Sequence, residues 1–199
     1  MGRGVDGRTA SRKSATEPRV KAPTIIETPR LILRRPEAGD IDAMFARYAS
    51  DPVVTRYLGW ATHRAVDETR AFLALSDAEW DRWPAGPYLI CSRADGGLLG
   101  GTGLGFETPH RASTGYVLAR DAWGQGYATE TLQAIVATAH PAGVQRLYAL
   151  CHPDHRPSRR VLEKCDFQLK GTLRRHTEFP NLRRGVVLDV LCSASILGD

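Results

Sequence analysis

The stretch RDAWGQGYATE at residues 120–130 has residue types and a spacing that suit the binding of an anion. Gly124, Gly126 and Ala128 have small side chains, which allow a ligand to approach the main chain closely. A helical pattern follows at once, and the first N–H groups of a helix have no partner within it. Because the helix dipole adds partial positive charge there, the turn is suited to a phosphate or pyrophosphate. Taken alone, the pattern is also compatible with an ordinary turn.

Two other phosphate-binding motifs are excluded by the sequence. A dinucleotide-binding turn needs a third glycine where Thr129 stands, and a P-loop needs Gly-Lys followed by Ser or Thr, which the chain lacks. A second glycine cluster, GGLLGGTGLGF at 96–106, has no helix after it. We expect it to form a hairpin strand whose glycines mark a bulge or a close approach of two backbones.

The segments around the turn predict an α+β fold, with one mostly antiparallel sheet and helices packed on it. Period-two patterns and turn residues predict strands at 27–36, 88–94, 98–107, 112–119, 144–152, 167–175 and 185–197. Helical periodicity predicts helices at 39–50, 66–83, 128–140 and 156–165. The glycine turn therefore lies between a strand and a helix.

Composition predicts a globular domain at 24–199 behind a disordered basic tail at 1–23. Of the net charge of +5, the tail holds six Lys and Arg residues minus two acidic ones, which is +4. The domain itself has no strongly basic surface for nucleic acid, so we expect no specific nucleic-acid partner. No apolar run approaches the roughly 18 residues of a membrane span, so we expect no membrane partner. The four cysteines form no CxxC pair, which predicts no metal site and a cytoplasmic location.

Several segments together resemble the GCN5-related N-acetyltransferase superfamily. They are GYVLARDAWGQGYATETL at 115–132, VQRLYALCHPDHRPSRRVLEKCDF at 144–167, ETPRLILRRP at 27–36 and GTLRR at 171–175. Within the superfamily the chain is most similar to the ribosomal-protein N-terminal acetyltransferase branch, over about residues 26–196. The resemblance implies a centrally splayed sheet of about six to seven strands with helices on both faces. It also implies acetyl-coenzyme A (acetyl-CoA) as co-substrate, with no metal.

The same resemblance implies where acetyl-CoA would bind. The pantetheine would contact the strand near Leu118, and His155 stands where relatives often have an asparagine that faces the pantetheine. Asp166 replaces the usual glycine after the downstream helix, and Asp can adopt the left-handed conformation needed there. The pyrophosphate would lie on Trp123, Gly124, Gln125, Gly126, Tyr127, Ala128 and Thr129.

For catalysis, the resemblance implies that Ser158 donates a hydrogen bond to the departing sulfur and also contacts the co-substrate. A capping hydroxyl in the first turn of the helix is the alternative. Many relatives carry a glutamate where this chain has Ser113, so that base is absent. Glu178 is the candidate general base, with an ordinary loop carboxylate as the alternative, and His176 is a third candidate.

The acceptor is expected to be a primary amine, foremost the α-amine of a protein N-terminus. Trp60 and Phe179, in the variable segments 56–64 and 176–184, are candidate walls of the acceptor channel or else packing residues. A small-molecule acetyltransferase acting on an antibiotic or polyamine, and a non-catalytic acyl-CoA-binding regulator, remain as alternatives. A homodimer is left open as the oligomeric state.

Overall fold

A single eight-stranded sheet forms the centre of the computed structural model, which describes residues 20–198. The strands follow the order β1-β2-β3-β4-β5-β6-β8-β7, and every neighbouring pair is antiparallel except β5 and β6. Their bounds are β1 (Ile25–Glu27), β2 (Leu31–Arg34), β3 (Pro87–Ser92), β4 (Leu98–Thr108), β5 (Arg111–Leu118), β6 (Arg146–Cys151), β7 (Gln168–Glu178) and β8 (Val187–Ile196). The α+β class and the mostly antiparallel sheet are therefore confirmed.

The sheet has eight strands rather than six to seven because the segment at its beginning folds back on itself. The strand expected at 27–36 corresponds to β2, whereas β1 is an additional strand that precedes it and pairs with it antiparallel. The Thr28 hydroxyl accepts the main-chain N–H of Leu31 at 2.9 Å, which stabilises the tight turn between them. Such side-chain-to-backbone bonds favour turns over extended strands.

Four helices accompany the sheet, namely α1 (Ile41–Met44), α2 (Val66–Arg82), α3 (Tyr127–Ala139) and α4 (Arg156–Lys164). The helix expected at 39–50 is irregular, because a 3-10 turn (Ala38–Asp40) precedes α1 and π-helical turns (Phe45–Ala49) follow it. Among residues 20–198, no helix combines the length and apolar character needed to cross a membrane.

Alternating side chains of the central strands bury both faces of the sheet. Tyr88 and Ile90 of β3 belong to one core cluster, together with Ile135 of α3. The intervening Leu89 belongs to a second cluster, together with Met44 of α1. Burying one such side chain stabilises the fold by about 1.5–3 kcal/mol. Helices therefore cover both faces, as expected.

The sheet splays at its centre, between β5 and β6. These parallel strands pair only from Arg111 opposite Arg146 to Ser113 opposite Tyr148. Beyond Ser113, β5 continues along β4 as far as Leu118, whereas β6 continues along β8. One edge of β5 is therefore left without a ladder partner, which confirms the predicted splay.

The glycines of β4 permit the close backbone approach that the sequence predicted. A Cβ atom added to Gly100 would lie 2.0 Å from the Val117 carbonyl oxygen, and one added to Gly103 would lie 2.7 Å from the Pro87 Cα. Real Cβ atoms essentially never approach other atoms so closely. Side chains at these positions would therefore force β3 and β5 away from β4.

The chain already contacts the domain before the expected boundary at residue 24. The N–H of Ala22 donates to the Pro84 carbonyl at 2.8 Å, and the Tyr88 hydroxyl donates to the Pro23 carbonyl at 2.8 Å. Of the disordered tail expected at residues 1–23, residues 1–19 lie outside the described part of the chain.

Candidate active site

The glycine turn leads directly into α3 and leaves main-chain donors unused. Gly124 and Gly126 have φ angles of 76° and 81°, a left-handed conformation that glycine adopts without strain. Glu130 is the first residue of the helix to donate to the main chain, to Gly126 at 3.1 Å. From Gly124 to Thr129, no N–H group has an acceptor among residues 20–198. Six consecutive donors at a helix N-terminus suit a diphosphate.

A cation that the sequence analysis missed lies beside this turn. The Glu130 carboxylate accepts the Nε–H of Arg30 at 2.7 Å and the hydroxyl of Thr28 at 2.6 Å. Arg30 also donates to the Gln125 carbonyl at 2.9 Å and lies over the Tyr127 ring at 4.7 Å. Burial alone would raise the pKa of Glu130, but these hydrogen bonds outweigh it and lower that pKa. No local signal marks Arg30, because its partners are about a hundred residues away.

Trp123 braces the turn against the end of β5. Its indole N–H donates to the Leu118 carbonyl at 2.8 Å, and the Gln125 side chain donates to the Asp121 carbonyl at 2.8 Å. The Leu118 carbonyl is therefore already paired. A contact between the pantetheine and the strand at Leu118 stays a prediction, as do the contacts of Trp123 and Gln125 with the pyrophosphate.

Ser158 meets β5 through a tyrosine. It lies in the first turn of α4, and its Oγ shares a 3.0 Å hydrogen bond with the Tyr116 hydroxyl. Burial raises the pKa of Tyr116, so its phenol keeps its proton near neutral pH. The Tyr116 hydroxyl also donates to the Ser158 main-chain carbonyl at 3.2 Å, and either hydroxyl can be the donor in the bond between them. When Tyr116 is the donor to Oγ, the serine proton is available to a third group. The structure thus pairs Ser158 with a residue that the sequence analysis did not select.

His155 is the residue that immediately precedes α4, and it lies in an aromatic cluster. The Tyr57 ring stacks on His155 at 4.8 Å and tilts against His152 at 5.1 Å, while Phe179 meets His152 edge-on at 4.9 Å. Burial, followed by the charge of His152, lowers the pKa of His155 below its ordinary 6.5. The contact of His155 with the co-substrate stays a prediction. Asp166, after the same helix, has φ 61°, which confirms its expected conformation.

Glu178 lies at the end of β7, because this strand is longer than expected. The segment 176–184 was expected to be a loop, whereas residues 176–178 belong to the strand. The Glu178 carboxylate accepts the Gly185 N–H at 2.7 Å across the hairpin. Among the contacts of residues 20–198, none joins Glu178 to Ser158. Its role as the base stays a prediction.

A cleft of about 820 Å³ lies between α2 and the strands β4 and β5. Its lining is mostly apolar and includes Trp60, one of the two expected channel residues, while Phe179 is buried elsewhere. The remaining apolar walls come mainly from Leu58, Phe72 and Leu75. Leu75 of α2 lines this cleft and is 59% exposed.

His63 brings a titratable group into the cleft. Its Nδ1 shares a 2.8 Å hydrogen bond with the Thr69 hydroxyl, and its ring lies 5.0 Å from the Trp60 ring. Burial lowers the pKa of His63 below 6.5, with Glu68 opposing the shift. The imidazole is therefore mainly neutral at pH 7 and can accept a proton. The sequence analysis did not single it out, because the cleft that it faces is completed by the distant strands β4 and β5.

Asn181 holds the segment that carries Trp60 and His63. Its side-chain amide donates to the carbonyls of Thr55 at 2.7 Å and Trp60 at 2.8 Å. Its oxygen accepts the N–H of Thr62 at 2.8 Å. The loop after α1 and the hairpin between β7 and β8 are thereby linked. The two segments expected to set specificity are indeed adjacent in space.

The splayed sheet and the unpaired N–H groups at the start of α3 agree with the family resemblance drawn from the sequence. A model of the acetyltransferase (GNAT) domain matches residues 30–168. The chain belongs to this GNAT family. It is 33% identical over 162 residues to YoaA of Bacillus subtilis strain 168, named as an uncharacterized N-acetyltransferase, and the match covers 76% of the chain and 87% of YoaA.

Solved GNAT structures share this fold. An acetyltransferase from Salmonella typhimurium, described as modifying the N-terminal serine of a 50S ribosomal subunit protein, superposes with a TM-score of 0.75 at 22% identity, covering 87% of this chain and 99% of the other. RimJ of Mycobacterium smegmatis, solved with a CoA disulfide, gives 0.73 at 24% identity and covers 84% and 82%. At these identities the likeness concerns the fold alone. The family and its relatives show an acetyl-CoA-dependent acetyltransferase.

Proposed function

We propose that this GNAT acetyltransferase transfers an acetyl group from acetyl-CoA to the α-amine of a protein N-terminus. The assignment of acetyl-CoA as the co-substrate rests on the row of six unpaired N–H groups from Gly124 to Thr129, at the opening of the splay. The fold that the chain shares with an enzyme described as modifying a ribosomal-protein N-terminus supports a protein N-terminus as the acceptor.

The residues of this chain suit the parts of acetyl-CoA. The turn would hold the diphosphate through main-chain N–H groups, with the Arg30 guanidinium nearby. The unpaired edge of β5 beyond Ser113 offers main-chain groups to the amides of the pantetheine. When bound, acetyl-CoA supplies the acetyl group as a reactive thioester.

The remaining steps are deprotonation of the acceptor amine and departure of the CoA sulfur. An ammonium group cannot attack a carbonyl, so the acceptor must first lose a proton. Ser158, held by Tyr116, would donate to the departing sulfur. Since free thiols have a pKa of about 8.5, this donation is a modest aid to the rate. Much of the acceleration would come from holding the amine and the thioester together.

The proton acceptor is proposed to be Glu178, as the resemblance suggests. His63 is a second candidate because it lines the cleft and is mainly neutral at pH 7. Its Nδ1 is paired with the Thr69 hydroxyl, so Nε2 is the nitrogen that would take the proton. The two candidates differ in location, since Glu178 braces a hairpin. Separate substitutions therefore distinguish them.

A small-molecule amine is a second candidate acceptor, and one observation favours it. The cleft volume of about 820 Å³ falls within the roughly 300–1,000 Å³ typical of small-ligand pockets. An acceptor of this size could bind without any contribution from a protein surface.

The test is a calorimetric titration with acetyl-CoA followed by a thiol-release assay. Saturable binding and thiol release with peptide acceptors, with mass spectrometry placing the acetyl group on the α-amine, would support the proposal. Turnover with small amines but no peptides would favour the second candidate. Binding without turnover on any acceptor would indicate a non-catalytic regulator. No saturable binding of acetyl-CoA would overturn the proposal entirely.

A further inference from the structure

Four glycines line the floor of the cleft, and one of them, Gly115, has open space beside it. Gly101, Gly103 and Gly105 of β4 and Gly115 of β5 line the cleft without side chains. A Cβ atom added to Gly115 would meet nothing within 4 Å, so the cleft extends directly over this residue. The backbone of Gly115 has no left-handed φ that would prevent a larger residue there.

The walls of the cleft are suited to an apolar group. Trp60, Phe72, Leu58 and Leu75 surround the glycine floor, and Leu75 is largely exposed to the cleft. Water against such a surface is unfavourable, and an apolar ligand group that displaces it gains binding free energy in proportion to the area covered. A small polar group would leave most of this surface hydrated.

One carboxylate, that of Glu79, is present in these walls. No Lys, Arg or Asp accompanies it among the lining residues. Within residues 20–198, its side chain has neither an ion pair nor a hydrogen bond, unlike the paired carboxylates of Asp51 and Glu130. An unpaired carboxylate beside an apolar surface favours a ligand with one positive charge. A polyamine would bring several charges and meet only one.

Tyr48 provides a second, independent sign of a ligand. It is only 4% exposed, lines the cleft, and its hydroxyl would lie 3.4 Å from a Cβ atom at Gly101. In the described part of the chain this hydroxyl has no hydrogen-bond partner. Because this hydroxyl borders the open cleft, it can form a hydrogen bond with a polar atom of a bound molecule.

We infer that the cleft binds an acceptor whose first residue has a large apolar side chain, and that Glu79 attracts the positive charge of its N-terminus. The inference rests on the proposed function and deepens it. It sets this chain apart from the Salmonella enzyme, which is described as acting on an N-terminal serine. A serine side chain would bury little apolar area against Trp60, Phe72 and Leu75.

A peptide panel tests the inference. The peptides are identical except for the first residue, which is phenylalanine, leucine, methionine, alanine or serine. We expect kcat/KM to be on the order of tenfold to a hundredfold higher with the large apolar residues than with serine. Equal or better turnover with serine would overturn the inference while leaving the proposed function intact. Acetylation of phenylethylamine but of no peptide would reject the peptide acceptor and retain the apolar cleft. The inference also fails if phenylethylamine shows neither turnover nor calorimetric binding and no peptide reacts.

Filling the cleft provides the matched variant. Gly115→Val adds an apolar side chain over the floor, at a position where an added Cβ atom meets nothing within 4 Å. We expect kcat/KM for the phenylalanine peptide to fall at least about tenfold, with the affinity for acetyl-CoA unchanged. The control is Gly39→Val, at another glycine with open space but outside the cleft. An unaltered preference in Gly115→Val would contradict binding over the floor.

Glu79→Gln tests the charge. We expect the KM for the phenylalanine peptide to rise about tenfold, with kcat nearly unchanged, because the loss affects capture of the acceptor. Asp81→Asn removes one charge from the exposed face of the same helix and should leave KM unchanged. A fall in kcat at constant KM would assign Glu79 to proton transfer and overturn its proposed role in capture.

Discussion

The turn at Gly124–Thr129 and the cleft beside α2 differ in the chemical groups that they present to a ligand. The turn presents main-chain N–H groups from consecutive residues. The cleft presents side chains from α1, the loop after it, α2 and three strands. One site therefore depends on the path of the backbone, and the other on which side chains meet.

This difference predicts that substitutions in the two regions have different effects. Main-chain N–H groups can bind a diphosphate regardless of which side chains point away from it, so a turn of small residues is sufficient. The proposed acceptor recognition depends instead on the side chains of Trp60, Phe72, Glu79 and Tyr48. We expect substitutions in the turn to impair binding of acetyl-CoA, and substitutions in the cleft to alter the choice of acceptor.

The largest expected effect comes from a negative charge in the turn. Thr129→Asp places a carboxylate beside the proposed diphosphate, and like charges in contact cost several kcal/mol. We expect the Kd for CoA, measured by calorimetry, to rise on the order of a hundredfold. An acidic residue in the first turn of a helix stabilises it by about 0.3–1 kcal/mol, so the melting temperature should not fall.

Thr129→Asn is the control, because it has nearly the shape of Asp without the charge. It should bind CoA within a few-fold of the parent protein. Unchanged affinity in Thr129→Asp would show that the turn does not hold the diphosphate.

A smaller effect is expected at Ser158, which lies between the two regions. Ser158→Ala removes the proposed donor to the sulfur, and we expect kcat to fall about tenfold with the Kd for acetyl-CoA unchanged. Tyr116→Phe should give a similar loss, because the phenol orients the serine hydroxyl. Weaker binding of acetyl-CoA at constant kcat would instead make Ser158 a binding residue.

The candidate bases are separated by paired substitutions. Glu178→Gln keeps an oxygen to accept the Gly185 N–H, so the hairpin should be retained. We expect it to lower turnover more than the affinity for acetyl-CoA, because the amide cannot take a proton. The measurement is steady-state kinetics with the preferred acceptor, beside calorimetric binding.

His63→Gln makes the comparison decisive. If His63 is the base, only this variant loses turnover, and the acid limb of the parent pH–rate profile lies below pH 6.5, because burial lowers the pKa of the imidazole. Full activity of Glu178→Gln would remove Glu178 from the mechanism.

The smallest expected effect is on stability, and it concerns two partly buried imidazoles, those of His63 and His155. Burial lowers the folded-state pKa of both His63 and His155 below 6.5, so the unfolded chain binds protons first as the pH falls. Their contribution to stability is therefore present above pH 6.5 and is lost as the pH falls through the folded pKa. Denaturant unfolding of the parent protein and of His155→Gln should show a shallower decline in the variant. Identical pH profiles would contradict this origin.

Features that depend on neighbouring residues were predictable from the sequence. The glycine turn, the helix after it and the left-handed Asp166 all follow from local backbone preferences. Seven of the strands follow from alternation and turn residues, whereas β1 arises from a turn that a hydroxyl of Thr28 stabilises. The resemblance added the splay, which no single segment shows.

Other features arise only when distant segments meet. The Arg30–Glu130 pair, the Tyr116–Ser158 bond and the grouping of Tyr48, His63 and Glu79 join residues that are far apart along the chain. Leu75 has a pattern typical of a core residue, yet the tertiary structure exposes it to the cleft. The sequence by itself determined the backbone donors, because neighbouring residues set local conformation. Only the tertiary structure decided the acceptor cleft, because long-range packing determines which side chains converge.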